Sequence, residues 1–257
     1  MTIKKEFCLE LRKMRHRRIP ALFIITFAII TAWMCWCLKD LDLSKTNDGT
    51  ALVFIDLLLM NTILCPVTVA ALASRMCDME QIGDTYKWLC TIQKPEHIYR
   101  GKVMTGSFCL AVFSLIQAVL FKILTPPYNT DGLHPIIGPA LSLFITLFLT
   151  SLCIFILQLN LSLRFNNQLT PIFISIGGTF TGLFSWFLNQ WPLRYLIPWG
   201  YYAVLCNTGF HYDEITRYTT CYWEGYPVLG MIVLIAAITA LYYYGQKHFL
   251  KMVRDTM

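Results

Sequence analysis

Hydrophobic residues run along this chain in six long blocks separated by shorter polar stretches. Blocks 19–38, 139–163, 169–193 and 226–246 contain no Asp, Glu, Lys or Arg. Each is long enough to cross a ~30 Å hydrocarbon core as a helix, which takes about 20 residues. Block 103–121 is slightly shorter, and 51–74 is interrupted by a single acid, Asp56. The pattern predicts an all-α, polytopic membrane protein with spans at 19–38, 51–74, 103–122, 138–163, 169–193 and 226–246, all within one domain of residues 1–257.

Ahead of the first span, Ile3, Phe7, Leu11 and Met14 recur at helical spacing, with Lys5, Arg12, Lys13 and Arg15 elsewhere around the wheel. Residues 1–18 therefore read as a basic amphipathic helix on the membrane surface. A solvated basic tail that only sets topology is the other reading. The first span is too long for a signal-peptide core, and Trp33, Cys35, Trp36 and Cys37 make a poor cleavage site, so it is expected to be retained. Residues 39–50 and 122–137 are short, turn-rich connections. Segment 194–225 differs, because 195–210 is uncharged yet too short to span and carries Pro198 and Gly200 among aromatics. It is expected to form short re-entrant or interfacial helices on the outer face.

Composition sharpens this picture. Charged residues make up 14% of the chain, against about 25% in soluble domains, and mean hydropathy is +0.54, as expected of a lipid-solvated protein. Sixteen of the 21 basic residues fall on the side that carries both termini. That bias predicts cytoplasmic termini. It also accounts for the net charge of +6 without a nucleic-acid partner.

Candidate chemistry is sparse. No G-x-x-x-x-G-K-[ST] loop is present, since Gly101-Lys102 is followed by Val103 and lacks the upstream glycine. There is no H-E-x-x-H and no C-x-x-C, and no intramembrane histidine pair stands ready for haem, so neither a catalytic residue nor a metal site is expected. Five of the ten cysteines, Cys35, Cys37, Cys65, Cys109 and Cys153, lie in spans; Cys206 and Cys221 share the outer segment, where a disulfide is one alternative and two free thiols the other. Asp56 is the lone intramembrane carboxylate, with a structural role favoured over a functional one. Asn61, Gln117, Gln158 and Asn160 look too scattered for an ion pathway. Gly178 and Gly182 form G-x-x-x-G, which suits close packing within one subunit more than a dimer seam.

Residues 75–102 form the largest inner loop and read as helix, break, helix. Arg75, Glu80, Gly83-Asp84-Thr85, Leu89, Pro95, Arg100 and Lys102 at these spacings, with six spans and a basic N-terminal helix, resemble permease subunits of ABC-2 type transporters. Size and the opening 6–18 segment resemble the permeases that protect bacteria against lantibiotics and related peptide antibiotics. The resemblance implies a coupling helix in 75–102 that docks on a separate ATPase, with Asp78, Glu80, Gly83, Asp84, Thr85 and Trp88 as contacts. It implies ATP and Mg on that partner and no cofactor on this chain. It further implies a second permease, identical or related, and a bacterial cytoplasmic membrane location.

The resemblance also implies export of a membrane-bound antimicrobial peptide. Trp199, Tyr201, Tyr202, Asp213, Glu214, Trp223 and Glu224 are the candidate substrate contacts, because they join aromatics to acids on the outer face. Export of another hydrophobic drug or lipid-linked compound is the alternative within transport, and a non-transporting membrane sensor or assembly factor the alternative outside it.

Overall fold

The computed structural model describes residues 3–16, 18–39, 41–83, 89–90, 93–128, 136–165, 167–188 and 192–256. Six helices are long and apolar enough to cross a membrane. They follow a short helix α1 (Ile3–His16) and are α2 (Ile19–Lys39), α3 (Gly49–Ile82), α4 (Pro95–Leu124), α5 (Ile137–Arg164), α6 (Leu169–Phe187) and α8 (Val228–Thr256). Between α6 and α8 lie two 3-10 turns, a one-turn α7 (Tyr201–Val204) and an antiparallel pair, β1 (Thr208–Asp213) and β2 (Tyr218–Trp223).

α3 is the central post. It packs against α2, α5 and α6, and Val53, Phe54, Leu57, Leu58, Val69 and Leu72 are buried along it. Peripheral helices instead expose apolar side chains, as Ile24, Ile25 and Trp36 do on α2 and Leu229 and Ile232 on α8. An apolar exterior of this extent would be untenable in water and is what a hydrocarbon solvent requires. Several polar groups turn inward and pair: Asn61 and Gln117 exchange amide hydrogen bonds at 2.7 Å each way, Thr26 meets Thr68 at 2.9 Å, and Tyr202 meets Ser151 at 3.0 Å, whereas the buried Gln158 amide has no hydrogen-bond partner among the described residues. Asn61 and Gln117 are thus partners rather than scattered residues. Asn160 is tied separately, accepting from Tyr99 and donating to the Leu241 carbonyl.

With 34 residues, α3 is about 51 Å long at 1.5 Å per residue, well beyond a ~30 Å core. Its last turns therefore project on the side where α1, the start of α4 and the end of α8 gather, called here the terminal side. The expected inner loop shrinks accordingly, because Arg75–Ile82 continues α3 and Pro95 already opens α4. Pro95 fits there since a first-turn residue needs no intrahelical N–H.

The opposite face carries the hairpin. Segment 194–225 is not a pair of re-entrant helices: its apolar half keeps only 3-10 turns and α7, and its polar half is the hairpin. Tyr218, Thr219, Thr220 and Tyr222 are strand-favouring types, and the four-residue loop 214–217 closes with Arg217 at φ 53°. The fifth span correspondingly ends at Phe187 rather than at 193. The hairpin is pinned to the first outer connection. Asn47 donates to the Cys221 carbonyl at 2.7 Å and accepts from the Cys221 N–H at 2.6 Å, while Trp223 Nε1 donates to Asp48 at 2.7 Å. Cys206 and Cys221 are both free thiols.

Candidate functional site

On the terminal side, seven ionisable groups interlock. Glu80, on the last turns of α3, is 3% exposed and lies 2.8 Å from Lys102 of α4 and 2.9 Å from Lys13 of α1. Lys102, itself 1% exposed, also donates to the Met76 carbonyl at 2.6 Å. Lys13 bridges on to Glu10 at 2.6 Å. A second knot ties α1 to α4, where Glu6 meets His97 at 2.6 Å and Arg100 at 3.1 Å.

These contacts widen the expected docking face of α1, on which Met14 is buried and Phe7 packs edge-on against Phe108 of α4 at 5.5 Å, to include acids. The face that docks on α4 carries Glu6, Glu10 and Met14, one turn apart, whereas Leu9 and Leu11 are exposed. A helix that buries acids this way needs cations already in place, and Lys102 and Arg100 supply them from the first turns of α4. Burial pushes the Glu80 carboxyl up, but Lys102 and Lys13 outweigh it and hold the group below its ordinary range. Glu6 behaves alike, its burial being outweighed by Arg100 and His97. This cluster was not legible in the sequence because its basic residues serve equally as topology signals, Glu80 fell among the expected ATPase contacts, and pairing across three helices leaves no local pattern of its own. The visible signal was an i, i+4 pair of acids, Glu6 and Glu10, inside an otherwise basic segment.

The candidate coupling residues therefore divide. Glu80 faces inward, its carboxylate paired with Lys13 and Lys102. Asp78 is half-buried on the same turns, and Gly83 is exposed just past the end of α3. Asp84, Thr85 and Trp88 lie outside the described residues.

The candidate substrate contacts divide too. Tyr201 and Tyr202 are 2% and 0% exposed and serve the core, Tyr201 donating to the Tyr195 carbonyl and Tyr202 pairing with Ser151. Trp199 fills the G-x-x-x-G of α6: a Cβ on Gly178 would stand 2.2 Å from its ring, and one on Gly182 2.8 Å from its carbonyl oxygen. The motif thus packs within one subunit. Trp223 is half-buried against Phe54, their rings 5.5 Å apart. Glu214 and Glu224 are exposed, and Asp213 is half-buried, capping the hairpin loop through Ile215 N–H and Thr216. Around them the hairpin presents Phe210, Tyr212, Tyr222 and, at its tip, Ile215, which is 93% exposed. Asp56 sits nearby on α3, half-buried beside Cys37 and Cys221. Among the described residues, no group of three or more His, Cys, Asp or Glu side chains is arranged to hold a metal ion.

Residues 7–182, well over half of the chain, match the family described as ABC-2 family transporter protein. The chain belongs to the ABC-2 transporter family. An ABC-2 permease is a multi-pass membrane component of a transporter, and membership implies pairing with an ATP-binding cassette ATPase. The matched stretch takes in α1 from Phe7, the ion-pair cluster apart from Glu6 and the first four spans of this ABC-2 chain, and stops within α6, the fifth, before the hairpin. No curated protein sequence matches it.

Proposed function

We propose that this chain is the permease subunit of an ATP-driven exporter that clears cationic, membrane-bound antimicrobial peptides, and that the hairpin face is where the peptide first engages. The observation that carries the peptide reading is the hairpin surface, which sets Glu214 and Glu224 among exposed Phe210, Tyr212, Ile215 and Tyr222. Acids attract a cationic amphiphile at the membrane surface, and aromatic and aliphatic side chains hold its apolar face. The basic residues gathered on the terminal side favour a cytoplasmic location for both termini, which puts the hairpin outside. A substrate already in the bilayer needs no charged, water-filled pathway, in keeping with the small neutral polar pairs of the interior.

Energy enters from the other side. The exposed end of α3 and the stretch that follows, 75–94, offer the contact for an ATPase that binds ATP and Mg, with Asp78, Gly83, Asp84, Thr85 and Trp88 as its candidate residues. Glu80 acts one step back: it locks α1 and α4 to α3, so that a push on the end of α3 moves three helices as one body. A second permease, identical or related, completes the transporter. The test is survival of cells expressing the transporter under a cationic lantibiotic, against an apolar drug of similar size. Protection against the peptide supports this reading, and protection confined to the drug contradicts it.

A further inference from the structure

α1, α2 and α4 enclose an open apolar groove of 620 Å³ that the transport reading does not use. Phe23 and Ile24 of α2 form one wall, and Phe108, Val112 and Ile116 of α4 the other. Its size falls in the range of small-molecule sites, about 300–1,000 Å³. Phe108 to Ile116 covers about 12 Å of helix, less than half of a ~30 Å core, and the α2 wall, Ile19 to Ile24, is the terminal-side start of that span, so the groove opens toward the terminal-side leaflet.

The rim is cationic. Arg12 of α1 lines the groove and is exposed. The acids nearest along α1 are already engaged, Glu6 by Arg100 and His97 and Glu10 by Lys13, and Arg12 has no acidic partner among the described residues. Arg18, also exposed, immediately precedes Ile19 and Pro20 at the same end. A guanidinium in that position, over an apolar slot one leaflet deep, matches a phosphodiester attached to an acyl chain. Charge complementarity and depth together distinguish this from a bare apolar face.

We propose that the α1–α2–α4 groove binds one anionic phospholipid of the terminal-side leaflet, its acyl chain between Phe23 and Val112 and its phosphate on Arg12. The site is independent of substrate and ATPase. Bound there, the lipid fastens α1 against the bundle from the side opposite the Glu80 cluster.

The full-length protein, purified in mild detergent and exposed to phosphatidylglycerol or phosphatidylcholine, tests this by native mass spectrometry. One phosphatidylglycerol should be retained in preference to phosphatidylcholine by roughly fivefold, about 1 kcal/mol for one basic residue near a lipid phosphate. Arg12→Gln should abolish the preference and Arg12→Lys should keep it. In the unaltered protein, phosphatidylglycerol should slow alkylation of Cys8, which lines the groove, and leave Cys35, exposed near the far end of α2, unaffected. Equal retention of the two lipids, an unchanged preference in Arg12→Gln, or protection of Cys8 only through dimer formation would each overturn the proposal.

Discussion

Glu80 and Lys102 meet at 2.8 Å where α3 and α4 come together on the terminal side, and both side chains are almost wholly enclosed. Neither charge has water to turn to, so each depends on the other and on Lys13. Removing one member strands the rest, which for a buried pair costs about 3–5 kcal/mol. Glu80→Gln should therefore lower the unfolding temperature of the detergent-solubilised protein and open α1 to protease. Lys13→Ala, removing a side chain that is 29% exposed, should do so more weakly.

Acid should have a similar effect. The Glu80 carboxyl is held below its ordinary value of 4.5, so it binds a proton more readily when unfolded than when folded. Its stabilising contribution is complete above about pH 4.5 and is lost as the pH falls through the depressed folded value. Glu6 contributes with the same sign. Unfolding temperature should be flat from neutral pH down to about 5 and fall below it, with a smaller fall in Glu80→Gln.

Gly178 lies under the Trp199 ring, and any larger residue must evict it. Gly178→Leu should destabilise the protein by about 1–3 kcal/mol through overpacking. The distribution of monomer and oligomer on size exclusion should not change, because the motif is occupied from within the chain. A shift in oligomeric state at unchanged stability would return the motif to an interface.

The six spans could be read from apolar block length alone, since lipid imposes that length on any spanning helix. Pro95 as the start of α4 and the in-chain use of Gly178 and Gly182 were legible for similarly local reasons. The full docking face of α1 was not. Helical spacing placed Phe7, Leu11 and Met14 on one face, and Met14 is buried and Phe7 meets Phe108, but α4 also presents Arg100 and Lys102, and tertiary charge pairing buries Glu6 and Glu10 as well. The hairpin escaped because its strands are stabilised by Asn47, about 170 residues away in sequence, a partner that no local pattern reveals. The burial of Tyr201 and Tyr202 likewise depends on Ser151 and the wall of α5, not on their own neighbourhood.

If the hairpin receives a cationic peptide, its exposed acids set the affinity. Glu214→Gln with Glu224→Gln should weaken binding of a cationic amphipathic peptide to the reconstituted protein several-fold and reduce the salt dependence of binding, since each exposed charge contributes about 0.2–1 kcal/mol. Asp213 is left intact in this variant because it caps the loop. Unchanged affinity and salt dependence would reduce the hairpin aromatics to membrane anchors.

As proposed above, this chain moves a substrate with energy supplied by another subunit. The most direct measurement is affinity purification of the tagged full-length protein from its native membrane in mild detergent, with identification of bound subunits and assay of nucleotide turnover. An ATP-binding cassette ATPase should co-purify, turnover should rise when a cationic amphipathic peptide is added, and the isolated permease should show none. Recovery of the permease with no ATPase at native abundance, or hydrolysis by the permease alone, would contradict that proposal.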